Sequence, residues 1–261
     1  MVSTPSSGFH ASPTLAQRLA RPAAIALSPL LIAQGRKVRG LHPKMPPAPQ
    51  PWNGVIEGPE PLHVLGVGDS TIAGVGVEDA ALGLVPQFSR ALHEFCGRGV
   101  SWRSIGESGA TSKEILRQFL AHATGEPADV VLVSLGANDA KDLKPLRATI
   151  ARFERLTDAL HTAHPNATLL FSSLPAFNQF PTLPQPLRAV LYAHSQAIER
   201  SLRGLIEARA FAFMSPPPPK YSEGFFAPDG FHPSVSGYRD WANFAFVDAL
   251  ERGALEHLTP R

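Results

Sequence analysis

The chain is 261 residues long, long for one domain and short for two, and 44% of it is hydrophobic, enough to build a full core. A formal net charge of +2, with no basic stripe interleaved with aromatic residues, argues against nucleic acid as a partner. The single cysteine, Cys96, excludes an intrachain disulfide; set in a helical pattern with no motif around it, it reads as a small, partly buried hydrophobe.

Residues 1 to about 20 are rich in Ser, Thr and Pro and are expected to be disordered. Residues 22–40 can form a helix with a proline break. No apolar run reaches the roughly 18 residues of a membrane span. The longest, Ala23–Ala33, follows Arg18 and Arg21 in the basic-then-apolar order of a signal peptide. Pro29 interrupts it, no Ala-x-Ala site follows, and Arg36, Lys37 and Arg39 come directly after. The preferred reading is an amphipathic segment that packs on the domain, on a partner subunit or on a surface. A cytoplasmic location goes with that reading, and secretion with the signal-peptide alternative. The seven prolines between 41 and 61 forbid a helix and predict an extended linker or wrap. The organisation expected is therefore an N-terminal extension, 1–61, followed by one domain, 62–261.

From Leu62 short apolar runs alternate with longer periodic stretches. Strands are predicted at 62–68, 100–107, 130–136, 167–174 and 208–214. Between them, helical spacing covers 81–95, a short stretch around Ile115–Leu120, a long one from Leu143 to Leu160, and 187–206; a last helix runs over 235–250. Repeated β-α units imply an α/β fold, a parallel sheet with helices on both faces.

Four polar motifs fall at the carboxyl ends of strands or before the closing helix. Gly68-Asp69-Ser70 ends the first strand in a turn that a glycine permits, and Ser70 reads as a nucleophile; a helix-capping serine is the alternative. Ser108-Gly109-Ala-Thr-Ser112 follows the second strand, where Gly109 lets a backbone N–H approach a ligand, unless the segment is only a turn with Thr111 or Ser112 as cap. In Gly136-Ala-Asn138-Asp139 the Asn138 amide can face a developing negative charge, or the pair can cap a helix. In Asp229-Gly-Phe-His232-Pro233 a carboxylate three residues before a histidine can hold one ring nitrogen and aim the other at a serine; Pro233 keeps His232 extended and out of the helix. The alternative is a histidine in a surface loop.

Taken in this order, Gly68-Asp69-Ser70, Gly109, Asn138 and the Asp229/His232 pair resemble the SGNH, or GDSL-type, hydrolase superfamily over about residues 62–250. The resemblance implies a three-layer flavodoxin-like fold with a five-stranded parallel sheet in the order 2-1-3-4-5, and a cleft at the switch point. It implies a serine esterase in which Ser70 attacks an acyl carbonyl, His232 takes the proton and Asp229 orients His232. The N–H groups of Ser70 and Gly109 and the Asn138 side chain would form the oxyanion hole. An acyl-enzyme intermediate and no metal or cofactor are implied. Members often carry an asparagine shortly before the glycine of the second block; here the run is Ile105-Gly106-Glu107-Ser108, with Glu107 unexplained.

The proline-rich loop 174–186 reads as an acyl-pocket wall or stiff lid bearing Phe177, Phe180 and Leu183, or as a crossover packed on the surface. Phe225, Phe226 and Phe231 are placed on the opposite wall. Arg188 can meet an anionic substrate group, or be a solvated residue at a helix start. Such a site suits a small-molecule ester of short to medium acyl chain, and no broad exposed apolar helix signals an interfacial lipase. Alternatives are a carbohydrate acetyl esterase, a lysophospholipase or thioesterase, and a non-enzymatic flavodoxin-like module holding phosphate at the Gly-Asp-Ser turn.

Overall fold

The computed structural model describes residues 13–41, 44–217 and 219–259. Its sheet is organised on strand β2 (Leu62–Gly68), which is buried on both faces except at His63. β2 pairs in parallel with β3 (Val100–Gly106) on one side and β4 (Val130–Ser134) on the other, and β5 (Thr168–Phe171) and β6 (Ala212–Met214) extend the sheet, also in parallel. Counted from β2, these five strands have the expected 2-1-3-4-5 order. The sheet is nevertheless six-stranded and mixed. β1 (Asn53–Ile56) adds antiparallel to β3, giving β1-β3-β2-β4-β5-β6. This edge strand comes from the proline-rich stretch read as a linker or wrap. Four residues with a half-buried, half-exposed alternation give too weak a period to register beside so many prolines.

Two helical layers cover the sheet. On one face α3 (Leu84–Cys96) packs against α9 (Val235–Glu251), and Cys96 is buried there among apolar neighbours. On the other lie α7 (Leu146–Ala163), α8 (Leu187–Glu207) and a helix over 112–123, in which α4 (Ser112–Glu114) passes through a π turn (Ile115–Phe119) into α5 (Leu120–Ala123). The long helix expected from Leu143 starts at Leu146, since Leu143 has φ +51° and Pro145 lies at the helix start. The short α6 (Ala137–Lys141) precedes it.

The amino-terminal region is more ordered than its composition suggests. Of the disorder expected up to about residue 20, positions 1–12 lie outside the described residues, whereas α1 (Leu15–Ala26) begins in the predicted coil. Thr14 caps it: the Gln17 N–H donates to Thr14 Oγ1, and the Thr14 N–H donates to Gln17 Oε1. α2 (Ser28–Leu41) follows after Leu27, with Pro29 in its first turn, where a missing N–H costs nothing. Both helices lie along α8, burying Ala20, Ala24 and Leu31. Their outer faces are apolar and exposed, contrary to the expectation that no broad apolar helix is on view.

A buried ion pair holds the loops after β5 and β6 on α8. Arg203 donates to Glu199 at 3.1 Å and to the carbonyls of Met214 (2.8 Å) and Ser215 (2.7 Å), while Glu199 accepts the Leu174 N–H at 3.1 Å. Burial pushes the Glu199 carboxyl above its usual range, and the Arg203 charge opposes that rise.

Gly68 ends β2 against the neighbouring strand, and a Cβ there would collide with the Ser134 carbonyl. Gly68→Ala should therefore cost roughly 2–3 kcal/mol of folding free energy. Urea denaturation is the check; a midpoint unchanged from wild type would mean that the strands separate without strain.

Candidate active site

Because β2, β3 and β4 are parallel, their carboxyl ends meet at one edge of the sheet, and the turns that follow them are neighbours. Three fastenings join these turns. The Asp69 N–H donates to the Ser134 carbonyl at 3.1 Å, and the Thr71 and Ser134 hydroxyls lie 2.7 Å apart. Asn138 Nδ2 donates to the Ala110 carbonyl at 3.0 Å and more weakly to Asp69 Oδ2 at 3.4 Å. Asp139 is fully buried and accepts the Ser112 N–H at 2.8 Å and the Ser112 hydroxyl at 2.7 Å, tying the turn after β4 to the start of α4. Gly109 has φ +85° and faces open space. Neither its N–H nor that of Ser70 has a protein acceptor among the described residues. Glu107 closes the same turn through its backbone, and its side chain is exposed.

His232 reaches Ser70 from the loop before α9. Its Nε2 lies 3.0 Å from Ser70 Oγ, and its Nδ1 lies 2.5 Å from Asp229 Oδ2. Asp229 Oδ1 accepts the N–H groups of both Phe231 and His232 at 2.9 Å, so one carboxylate folds the turn and holds the ring. Burial raises the Asp229 carboxyl, but the hydrogen bonds from the His232 ring and from the two backbone amides outweigh it and keep the group below its usual range. An ionised carboxylate only accepts, so Nδ1 carries the proton and Nε2 is left to accept one from Ser70.

The loop that carries His232 is locked to the one that carries Ser70. Tyr238, fully buried on α9, donates its hydroxyl to the Val75 carbonyl at 2.7 Å. Gly76, at φ +108°, lies so close to Pro233 that a Cβ would strike the Pro233 carbonyl. Ser234 caps α9 by accepting the Gly237 N–H.

Beside Ser70 and His232 opens a cleft of about 280 Å³. Its walls are largely aromatic: Phe180, Tyr221, Phe226, Phe231, Trp241 and Phe244 all face it. Phe180 lies 5.0 Å from Phe226 and 5.2 Å from Phe231, ring centre to ring centre. Burial pushes the Tyr221 hydroxyl up to about 12, so it stays neutral and accepts the Ala176 N–H.

Of the candidate substrate contacts, Phe180, Phe225, Phe226 and Phe231 line the cleft, whereas Phe177, Leu183 and Arg188 do not. The short 3₁₀ turn Phe177–Gln179 sends Phe177 into the core behind Phe180 and Phe231. Leu183 is buried in the same core. Arg188 folds back to donate to the Leu183 carbonyl at 2.7 Å, so its guanidinium serves the loop. Trp241 and Phe244 read in sequence only as the core stripe of the last helix. Their spacing does not distinguish them from Tyr238, which shares it and is fully buried. Among the described residues no group of three His, Cys, Asp or Glu side chains is arranged to hold a metal ion.

Asp69, overlooked beside Ser70, is the most perturbed carboxyl near the site. Burial raises it to about 6, despite two hydrogen bonds from Thr71 and the nearby His232. The folded state thus holds this proton between pH 4 and 6, where the unfolded chain has released it. The stability associated with Asp69 is complete below about pH 4 and is lost as pH rises through 6. Against Asp69→Asn, which does not titrate, wild type should lose about 3 kcal/mol of relative stability between pH 4 and pH 7. Denaturation of both proteins across that range is the measurement, and a constant gap would contradict the buried, protonated Asp69.

Comparison with known proteins agrees with this architecture. Residues 67–239 match the GDSL-like Lipase/Acylhydrolase family. A GDSL-like esterase of Mycobacterium tuberculosis is 27% identical over 243 residues, spanning 85% of this chain and 77% of that protein. Among solved structures, a family 3 carbohydrate esterase of Clostridium thermocellum superposes with a TM-score of 0.56 at 20% identity, covering 77% of this chain and all of that one. The psychrotrophic esterase EstA of Pseudoalteromonas sp. superposes with a TM-score of 0.54 at 17% identity, covering 73% and 97%. With two-thirds of its length matched and the fold shared, the chain belongs to the GDSL-like lipase/acylhydrolase family and is a carboxylic ester hydrolase.

Proposed function

We propose that the protein is a serine esterase for carboxylic esters of short to medium acyl chain, with Ser70, His232 and Asp229 as its triad and residues 62–261 as its hydrolase domain. The observation that carries this reading is the continuous hydrogen-bond chain from Ser70 Oγ through both nitrogens of His232 to Asp229.

Ser70 Oγ attacks the acyl carbon as its proton passes to His232 Nε2, and Asp229 stabilises the imidazolium that forms. The oxyanion is held by the free N–H groups of Ser70 and Gly109 and by the Asn138 N–H that gives up its long 3.4 Å contact with Asp69, the other staying on the Ala110 carbonyl. His232 then gives its proton to the alcohol oxygen as the C–O bond breaks. Water repeats the sequence on the acyl-enzyme and frees Ser70. The acyl chain lies in the aromatic cleft, where Phe180 and Phe231 bound its path. Such a lining favours an apolar chain over a charged one.

Ser70→Ala should remove ester hydrolysis by at least a thousandfold with the fold intact, and His232→Ala nearly as much. Asn138→Ala should lower kcat by about 10²–10³ with KM little changed. Chromogenic esters of increasing acyl length are the test. Ser70→Ala activity above a tenth of wild type would remove Ser70 as nucleophile. Turnover of acetylated sugars with none on simple esters would replace the esterase with a deacetylase, and a preference for acyl thioesters or lysophospholipids would favour those classes instead.

A further inference from the structure

Among the described residues, seven of the eleven large apolar side chains that are exposed lie on α1, on α2 or at Leu27 between them, so exposure is concentrated on one arm. Around the break at Leu27 five of them follow one another within fourteen residues: Leu19, Ile25, Leu27, Leu30 and Ile32, each between 40% and 57% exposed. No charged side chain falls between Arg21 and Arg36. Exposed cations stand on both sides, Arg18 before the apolar stretch and Arg36, Lys37 and Arg39 after it. From residue 13 to residue 56 there are six Lys and Arg and no Asp or Glu; the first carboxylate is Glu57.

The arm is also firmly seated. Ala24 and Leu31 join the core cluster under α8. Arg21 Nε donates to the Leu143 carbonyl at 3.0 Å, and Gln34 bonds the Gln185 carbonyl at 2.7 Å and the Leu187 N–H at 3.2 Å. Leu143 and residues 185–187 lie in loops that follow β4 and β5, so the arm sits at the end of the sheet that carries the cleft. An unfinished helix of the core would turn its apolar face inward. This one buries Ala20, Ala24 and Leu31 and leaves Leu19, Ile25, Leu30 and Ile32 exposed.

We propose that the α1–α2 arm docks the protein on an anionic lipid surface, with the apolar bend entering the headgroup boundary and the flanking cations meeting lipid phosphates. The charge pattern selects this occupant: an apolar centre rimmed by cations, with no carboxylate, is complementary to negatively charged headgroups over an acyl layer. A second copy of the same arm would set these cations against each other. No helix among the described residues is long and apolar enough to cross a membrane, so the contact is interfacial.

Sedimentation of the full-length protein with vesicles tests this independently of the triad. Vesicles of phosphatidylcholine with phosphatidylglycerol should bind it about tenfold or more tightly than phosphatidylcholine alone, and raised salt should weaken the difference. The exposed triple variants Leu27→Ser/Leu30→Ser/Ile32→Ser and Arg36→Gln/Lys37→Gln/Arg39→Gln should each release the protein while hydrolysing a soluble ester as wild type does. Absence of vesicle binding by wild type would overturn the proposal. So would binding that both variants retain, or light scattering showing a dimer that the apolar variant dissolves while vesicles leave the wild type free.

Discussion

The candidate site rests on a meeting across 162 positions of chain: His232 Nε2 stands 3.0 Å from Ser70 Oγ, although one residue follows β2 and the other precedes α9. Hydrogen-bond reach leaves little tolerance, and displacement by about 1 Å is enough to cost a large part of a rate. The structure meets this demand with contacts that carry no chemistry. Tyr238 fastens α9 to the Val75 carbonyl, Gly76 lets the chain after Ser70 lie flat against Pro233, and Asp229 uses one carboxylate both to fold its turn and to hold the imidazole. Packing of α3 on α9 carries the same constraint back to the sheet.

Three buried carboxylates each secure a different loop. Asp69 gathers Thr71 and Asn138, Asp139 gathers Ser112, and Glu199 gathers Leu174 while paired with Arg203. Burial raises all three, the expected consequence of removing a charge from water. Their partners are mostly backbone and hydroxyl donors, which are short and fixed, so the loops they join have few alternative arrangements. An apolar core would have been cheaper in desolvation but would have left the turns free to slide.

Much of the parallel sheet could be read from sequence because its central strands are short apolar runs separated by longer stretches of helical period. Gly68, Gly109, Asn138 and His232 were each weak signals alone; it was their placement, after strands or in the loop before the closing helix, that pointed to one candidate site. Side-chain direction within irregular loops was not legible. Phe177, Phe180 and Leu183 share one proline-rich loop, and only a 3₁₀ turn decides that Phe180 faces the cleft while Phe177 enters the core. Asp69 was overlooked because its importance comes from burial, which no local pattern encodes.

The amino-terminal region failed for a different reason. Prolines at 46, 47, 49 and 51 forbid a helix, but they do not forbid an edge strand, where one side of the backbone needs no partner. The helical arm before it has a period that sequence can detect, yet period alone does not say which face is inward. Ala20 and Ala24 allow close approach of α1 to α8, and Leu19 and Ile25 stay exposed; on α2 Leu31 is buried while Leu30 and Ile32 are not. The arm is bonded through Gln34 to Gln185, in the same proline-rich loop as the cleft-lining Phe180.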